Sequence, residues 1–142
     1  MSDSEENKSW HRYRAAMSAS AKLSQQDKDE EALRLLDEAI AMAESEKENR
    51  WVLTLSHHAA AISKFLGNPQ QAEQYYQKSL AFNPENPRAL SGLADIAKEE
   101  GNLELAKKYA GRCYKALIKG DDFLKVARLE TLLKKWPEVA QY

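Results

Sequence analysis

The chain has 142 residues and a formal net charge of −1, from 21 basic and 22 acidic side chains. That length predicts one ordinary domain with a core of its own, and the balanced charge gives the whole molecule no bias toward nucleic acid or an anionic membrane. The only cysteine, Cys113, excludes an internal disulfide and a cysteine-based metal cage. No apolar run reaches the ~20 residues that insert into a bilayer. We therefore expect a cytoplasmic protein.

The first third of the chain predicts a tail and two helices. Residues 1–9 are acidic and polar, which is typical of a short disordered tail. A first helix is predicted to begin with Trp10, Tyr13 and Met17 and to end at the polar segment SQQDKD. In the next segment, EEALRLLDEAIAMA, apolar residues recur at helical spacing. The apolar face of this second helix consists of Leu33, Leu36, Ile40 and Ala43.

The middle of the chain repeats itself at an offset of 34 residues, which aligns FLGNPQQAEQYYQKSLAFNPENP with EEGNLELAKKYAGRCYKALIKGD. A period of about 20 to 50 residues is typical of small structural units that bury their apolar faces only by stacking on one another. The sequence therefore predicts repeats at 53–86 and 87–120. Identical residues at this offset are Ala60 and Ala94, Ile62 and Ile96, Gly67 and Gly101, Asn68 and Asn102, Ala72 and Ala106, and Tyr75 and Tyr109.

Asparagine, proline and glycine predict where the helices of these repeats begin and end. Asn-Pro pairs at 68–69 and 86–87 are typical of an N-cap side chain followed by proline in the first helical position. Glycines are predicted to end helices in the left-handed conformation. These glycines are Gly67, Gly101 and Gly120.

A fainter repeat precedes these two, at about 10–48. Ala32 and Ala39 match Ala72 and Ser79, but at an offset of 40. About six extra residues are therefore expected in the second helix of this repeat or in the loop after it, and the segment ESEKEN is the favoured place.

Residues 121–142 predict a capping helix and tail. Asp121 or Asp122 is expected to cap the helix and Pro137 to end it. Its buried face is predicted to consist of Val126, Leu129, Leu133 and Trp136.

These patterns resemble the tetratricopeptide repeat family, in which helix pairs of 34 residues cross at small side chains. The resemblance rests on Ala60, Gly67, Ala72, Tyr76, Leu80 and Pro84 in one unit, and on Leu90, Leu93, Ala94, Gly101, Ala106 and Cys113 in the next. It implies an all-α fold: a right-handed superhelix, or solenoid, of about three helix pairs plus a C-terminal capping helix.

The resemblance also implies a concave groove lined by the first helix of each pair. The groove residues predicted to bind a peptide are Arg14, Met17, Ala21, Thr54, His57, His58, Ala61, Phe65, Arg88, Ser91 and Asp95. His57, His58 and Phe65 are the expected anchors, because aromatic side chains contribute most at interfaces. Of the positions at which related modules clamp the carboxylate of a chaperone tail, only Arg88 carries suitable chemistry, so that function is not expected.

Charge is unevenly spread along the sequence. Residues 27–49 carry nine acids and three bases, whereas residues 98–135 carry ten bases and six acids. Basic residues at helical spacing predict a second surface, an outer basic ridge on one helix. The ridge consists of Lys108, Arg112, Lys115 and Lys119. It is either a solvated face, the site of an acidic partner, or one side of a head-to-tail self-association.

Catalytic and metal sites are not expected. Adjacent histidines such as His57 and His58 point about 100° apart on a helix, so they do not bind one metal ion, and Cys113 falls within an apolar stripe. The sequence therefore favours a non-enzymatic adaptor that has no cofactor and binds a protein or peptide in the groove. A chaperone for a secreted or membrane-destined substrate and a homo-oligomeric scaffold are the alternatives. Nucleic acid is not an expected partner, because the groove lacks a ladder of basic and aromatic residues.

Overall fold

A computed structural model describes residues 2–121 and 124–141, with side chains for 10–121 and 124–140. Within this part of the chain there are seven α-helices, one short 3-10 helix and no strand, which confirms the predicted all-α class. No helix there is long and apolar enough to cross a membrane. The helices are α1 (Ser2–Gln25), α2 (Asp29–Ser45), α3 (Asn49–Phe65), α4 (Pro69–Phe82), α5 (Pro87–Glu99), α6 (Leu103–Lys119) and α7 (Lys125–Lys135), and the 3-10 helix η1 is Pro137–Gln141.

The chain divides into two compact units, unit 1 (Met1–Lys78) and unit 2 (Ser79–Tyr142). In unit 1, α1 packs on α2, α2 packs on α3, and α1 also contacts α3. In unit 2, α5 packs on α6, and α6 packs on α7 and on η1. Each unit thus consists of helices that pack on their neighbours in sequence, which is the local packing expected of a helical repeat.

One three-residue loop occurs four times, at 26–28, 46–48, 66–68 and 100–102. In each loop the middle residue has a positive φ, and the N–H of the last residue donates to a carbonyl five residues earlier, such as Asn102 to Ala97 (2.9 Å). This is the Schellman motif, which satisfies carbonyl groups at the end of a helix. Because so short a loop reverses the chain, α1 and α3 run in the same direction.

Glycine occupies the left-handed position in only two of these loops. Gly67 and Gly101 have φ of 75° and 81°, which confirms the prediction for both. In the other two loops the position is filled by Asp27 (φ 60°) and Lys47 (φ 58°). The prediction for Gly120 was wrong: α6 ends there, but Gly120 is extended, with φ −80° and ψ 162°.

Replacing Lys47 by glycine is expected to raise the free energy of unfolding by about 0.5 to 1 kcal/mol, because relief of left-handed strain outweighs the added chain entropy of glycine. Gly101→Ala is the opposite change at a matched position and should lower the free energy of unfolding by about 1 kcal/mol. An added Cβ at Gly101 meets no atom within 4 Å, so this cost comes from the backbone alone. Urea unfolding measures both, and two unchanged midpoints would contradict the assignment of these loops.

Asparagine side chains cap the N-termini of three helices. The Oδ1 atoms of Asn68 and Asn86 accept from the backbone N–H groups of Gln71 (3.2 Å) and Ala89 (3.0 Å), which confirms both predicted N-caps. Asn102 caps α6 in the same way, through the N–H of Leu105 (3.2 Å). Proline follows the first two caps and glycine precedes Asn68 and Asn102, so stop and start signals lie side by side in the sequence.

The extra residues behind the offset of 40 lie in α2, the second helix of the first repeat, and in α3, the first helix of the following repeat. The favoured place, ESEKEN, was wrong, because the loop at 46–48 is three residues long, like the loops at 26–28, 66–68 and 100–102. The other possibility, a longer second helix, is confirmed in part by α2. α2 and α3 have 17 residues each, against 14 in α4 and 13 in α5. About one additional turn in each helix accounts for the offset of 40.

The structure also differs from the predictions at the two ends of the chain. The backbone of residues 2–9, predicted as a disordered tail, belongs to α1, and no glycine or proline interrupts the sequence before Gln25. The prediction that Asp121 caps α7 was wrong, because Leu124 is the N-cap residue and no side chain caps the helix. Asp122 lies outside the described residues. The helix ends before Pro137, as predicted.

The buried face of α7 is rotated relative to the prediction. Val126 is 67 % exposed, whereas Leu132 and Trp136 are buried. Leu129 and Leu133 are half-buried. The Trp136 ring lies 5.1 Å from the ammonium group of Lys98, and the side chain of Lys135 reaches Asp95 (3.3 Å). The end of α7 and its C-cap residue therefore contact α5 as well as α6.

Buried alanines lie at the helix packing of both units, and a buried tyrosine links two helices of unit 1. Ala32, Ala72 and Ala106 are fully buried, so helices approach one another with only a methyl group between their backbones. In unit 1 the hydroxyl of Tyr75 donates to Asp37 on α2 (2.5 Å), and burial, followed by this bond, raises the pKa of Tyr75 well above its ordinary value. Lys78 pairs with Glu44 (2.9 Å). These polar contacts attach α4 to the acidic face of α2.

Candidate functional site

In unit 1, α1 and α3 present adjacent exposed faces. The rings of Tyr13 and Trp51 lie 5.3 Å apart beneath them and join the two helices. Side chains spaced three and four residues apart then share one outward face on each helix. We call these two faces together the α1–α3 surface. Its residues are Arg14, Met17 and Ala21 on α1, and Arg50, Thr54, His58, Ala61 and Phe65 on α3.

Three of the eight side chains of this surface are small, those of Ala21, Thr54 and Ala61, and one large apolar side chain on it is exposed. Ala21 and Ala61 are exposed, and Phe65 is 77 % exposed, more than any other large apolar residue whose side chain is described. Met17 and Thr54 are half-buried, and the Thr54 hydroxyl donates to the carbonyl of Arg50 (3.0 Å). A shallow strip with an aromatic ring at one end is thus open to a partner.

His57 was predicted as an anchor of the groove, and that prediction was wrong. Its side chain is only 7 % exposed, and its ring lies 6.3 Å from that of Tyr76. It lies at the border of the outward face, where a neighbouring helix covers it. Helical periodicity places His57 only about 60° from the middle of that face, so the spacing did not distinguish a border residue from an exposed one. His58 is exposed.

The predicted groove residues of unit 2 lie on α5. Arg88 is exposed and Ser91 is half-buried. Asp95 is half-buried and accepts from Lys135 (3.3 Å), so its charge is already balanced within the unit. The α5 face therefore offers a partner less charge than the sequence suggested.

The outer basic ridge lies on α6, and half of it supports the loop before α5. Arg112 donates to the carbonyl of Pro84 (3.2 Å), and Lys119 pairs with Glu85 (3.3 Å). The guanidinium of Arg112 also lies 5.7 Å from the Tyr109 ring. Lys108 and Lys115 are exposed. The ridge is thus partly structural, and Lys108 and Lys115 are its accessible charges.

Cys113 lies in the interior of unit 2. It is 2 % exposed, and its Sγ donates to the carbonyl of Pro87 (3.4 Å). Burial raises the pKa of the thiol to about 11. Because the thiolate is the reactive form, this position disfavours nucleophilic chemistry. Within the described part of the chain no three His, Cys, Asp or Glu side chains form a group that could hold a metal ion.

Native Cys113 is expected to react with Ellman's reagent at pH 8 at least a hundredfold more slowly than the same thiol in urea-unfolded protein, since a pKa raised by about two units removes ~99 % of the thiolate. The unfolded chain is the matched control because it has the same single cysteine. Complete labelling of the folded protein within seconds would show that the thiol is accessible and reactive.

Comparison with known families agrees with this arrangement of helices. The tetratricopeptide repeat model matches residues 13–85, and a second model with the same description matches residues 66–112. None of the curated proteins matches the chain. The chain belongs to the tetratricopeptide repeat family, whose members are generally non-catalytic modules of protein–protein interaction.

Proposed function

We propose that this protein is an adaptor that binds a peptide or helical segment of a partner on the α1–α3 surface. The observation that carries the proposal is the exposure of Phe65, one helical turn after the exposed Ala61, because an aromatic side chain exposed on an interaction module is a candidate hot spot. We propose a cytoplasmic location as well, on the ground of its single, buried cysteine.

The test is loss of partner binding when Phe65 is changed. Phe65→Ala is expected to weaken binding of a captured partner at least tenfold, because a buried aromatic anchor contributes about 2 kcal/mol or more to an interface. The fold should be unaffected, since the side chain is exposed. His57→Ala is unsuitable here because that side chain is packed.

A matched control is the double variant Lys108→Ala and Lys115→Ala, on the outer basic ridge. It should bind the same partner as well as the wild type does. If Phe65→Ala binds normally and the ridge variant does not, the α1–α3 surface is not the binding site.

A second candidate is self-association, and the distribution of charge favours it. α2 carries six acidic side chains and one basic one, whereas α6 carries the outer basic ridge. An acidic face and a basic face on one chain are complementary between two copies. Sedimentation at low and high salt tests this candidate, because such contacts are screened by salt. A monomer at every ionic strength would contradict it.

The chaperone alternative predicts instead that partners bound through Phe65 are kept soluble by this protein.

A further inference from the structure

Gly111 lies in the middle of α6, although glycine is among the poorest helix formers. An added Cβ at this position would meet no side chain and no neighbouring helix of the described chain within 4 Å, so packing inside the chain does not require glycine there. Glycine is also the residue that allows another group to approach a backbone closely. This open position on α6 therefore suits contact with a second molecule.

Gly111 belongs to a row of residues along one face of α6. Lys108, Gly111, Lys115 and Ile118 follow one another at spacings of three and four residues, so they share that face. Both lysines are exposed, and Ile118 is 46 % exposed. We call these four residues the α6 stripe. It has a positive charge on each side of the glycine and an apolar side chain at one end.

The outward side of α2 has a matching arrangement of opposite charge. Glu31 and Glu38 are exposed and lie on either side of the half-buried Leu35. We call these three residues the α2 face. Together with Leu23 and Arg34 they line a cavity of about 260 Å³. The face is thus a negatively charged rim around a partly apolar depression.

The spacings of the α6 stripe and the α2 face agree when the two helices run antiparallel. The two glutamates are seven residues apart, as are the two lysines, which is ~10.5 Å along each helix axis. Gly111 lies three residues from the first lysine, and Leu35 lies three residues from the second glutamate. Antiparallel helices therefore place Leu35 over Gly111 and each lysine beside a glutamate. The resulting pairs are Lys108 with Glu38 and Lys115 with Glu31.

We infer that this protein associates with a second copy of itself through the α6 stripe of one copy and the α2 face of the other, with the two helices antiparallel. Charge supports a second copy as the partner, because α2 carries six acidic side chains and one basic one, whereas α6 carries five basic and one acidic. The exceptions, Arg34 and Glu104, reduce the charge of each helix without reversing its sign. This inference rests on the self-association candidate of the proposed function and names the two faces that meet.

Ile118 extends the same register into the cavity. It follows Lys115 by three residues, so in the antiparallel arrangement it lies beyond Glu31 of the other copy. Leu23 lines that end of the cavity, because the loop at 26–28 joins the last turn of α1 to the first turn of α2. An exposed apolar side chain of one copy thus meets the apolar lining of the other, and its removal from water favours association.

Charge reversal on one face at a time, followed by sedimentation at low salt, tests the pairing. Glu31→Lys with Glu38→Lys, and Lys108→Glu with Lys115→Glu, should each weaken self-association about tenfold or more, because each places like charges opposite one another. The variant with all four substitutions again has opposite charges at both pairs, and its net charge equals that of the wild type. Its self-association should therefore return to within about threefold of the wild-type affinity.

Each outcome of these measurements decides a different point, provided that circular dichroism shows all variants to be as helical as the wild type. Self-association that persists in both double variants would overturn the inference and leave the self-association candidate intact. Failure of the fourfold variant to associate would overturn the pairing. A wild type that is monomeric at every concentration and ionic strength would count against both the inference and the candidate.

Gly111→Leu tests the close approach of the helices separately from charge. A side chain at this position sets α6 further from the α2 face, so self-association should weaken about tenfold or more. The urea midpoint of the monomer, measured at high salt, should not fall, because leucine favours a helix more than glycine does and the position is open. Unchanged self-association, or a lowered midpoint that shows Gly111 to be packed within the chain, would contradict the inference.

Discussion

Replacing Tyr13 by alanine is expected to lower the free energy of unfolding by about 3 to 5 kcal/mol, the range typical of a large aromatic side chain removed from a core. Tyr13 is fully buried, packs against Trp51 and donates to Glu46. Small domains have only about 5 to 15 kcal/mol of total stability. We therefore expect α1 to lose its attachment to α3, which would also disrupt the α1–α3 surface.

Tyr13→Phe separates the ring from the hydroxyl. It keeps the packing against Trp51 and removes only the bond to Glu46, so it should cost about 1 kcal/mol. The pKa of Tyr13 is raised above its ordinary value, first by burial and then by this bond. A raised pKa means that the folded state holds the proton more tightly, so this stabilisation is lost as pH rises above about 10. Urea titrations that give equal losses for the alanine and phenylalanine variants would contradict a packing role for the ring.

Ala106→Leu is expected to lower the free energy of unfolding by about 1 to 3 kcal/mol, because a larger side chain is forced into a packed helix crossing. Ala106 is fully buried in α6, where the family resemblance implies a small residue. Its methyl group leaves no space for three more carbon atoms without shifting α6 from α5. Loss of stability should be visible as a lower urea midpoint with an unchanged slope.

Ala81→Leu is the matched control for this overpacking. It makes the same chemical change at an exposed helical position, so it should alter stability by less than about 0.5 kcal/mol. An Ala106→Leu variant as stable as Ala81→Leu would show that the crossing is loose. The small residues of the repeat would then have no packing role.

The sequence predicted those features of the fold that depend on local chemistry or on repetition. Asn68 and Asn86 were recognisable as caps because their side chains and the following proline act within one turn. Gly67 and Gly101 were recognisable because glycine adopts positive φ at little cost. The 34-residue offset then indicated stacked helix pairs, since identical residues recur only where the environment of each unit is the same.

Features that depend on packing or on tolerated strain were not predicted. Asp27 and Lys47 adopt left-handed conformations that the sequence does not signal, because the reversal is imposed by the packing of the helices on either side. His57 was missed as a buried residue because its exposure depends on how closely α4 approaches α3.

Amide hydrogen exchange, measured with and without a captured partner, tests most directly whether the α1–α3 surface is the binding site. We expect slower exchange in residues 10–25 of α1 and 49–65 of α3, because a bound partner excludes water and suppresses local opening. The amides of α6 should exchange at unchanged rates. Protection confined to α6, or complete binding with no protection in α1 and α3, would contradict it.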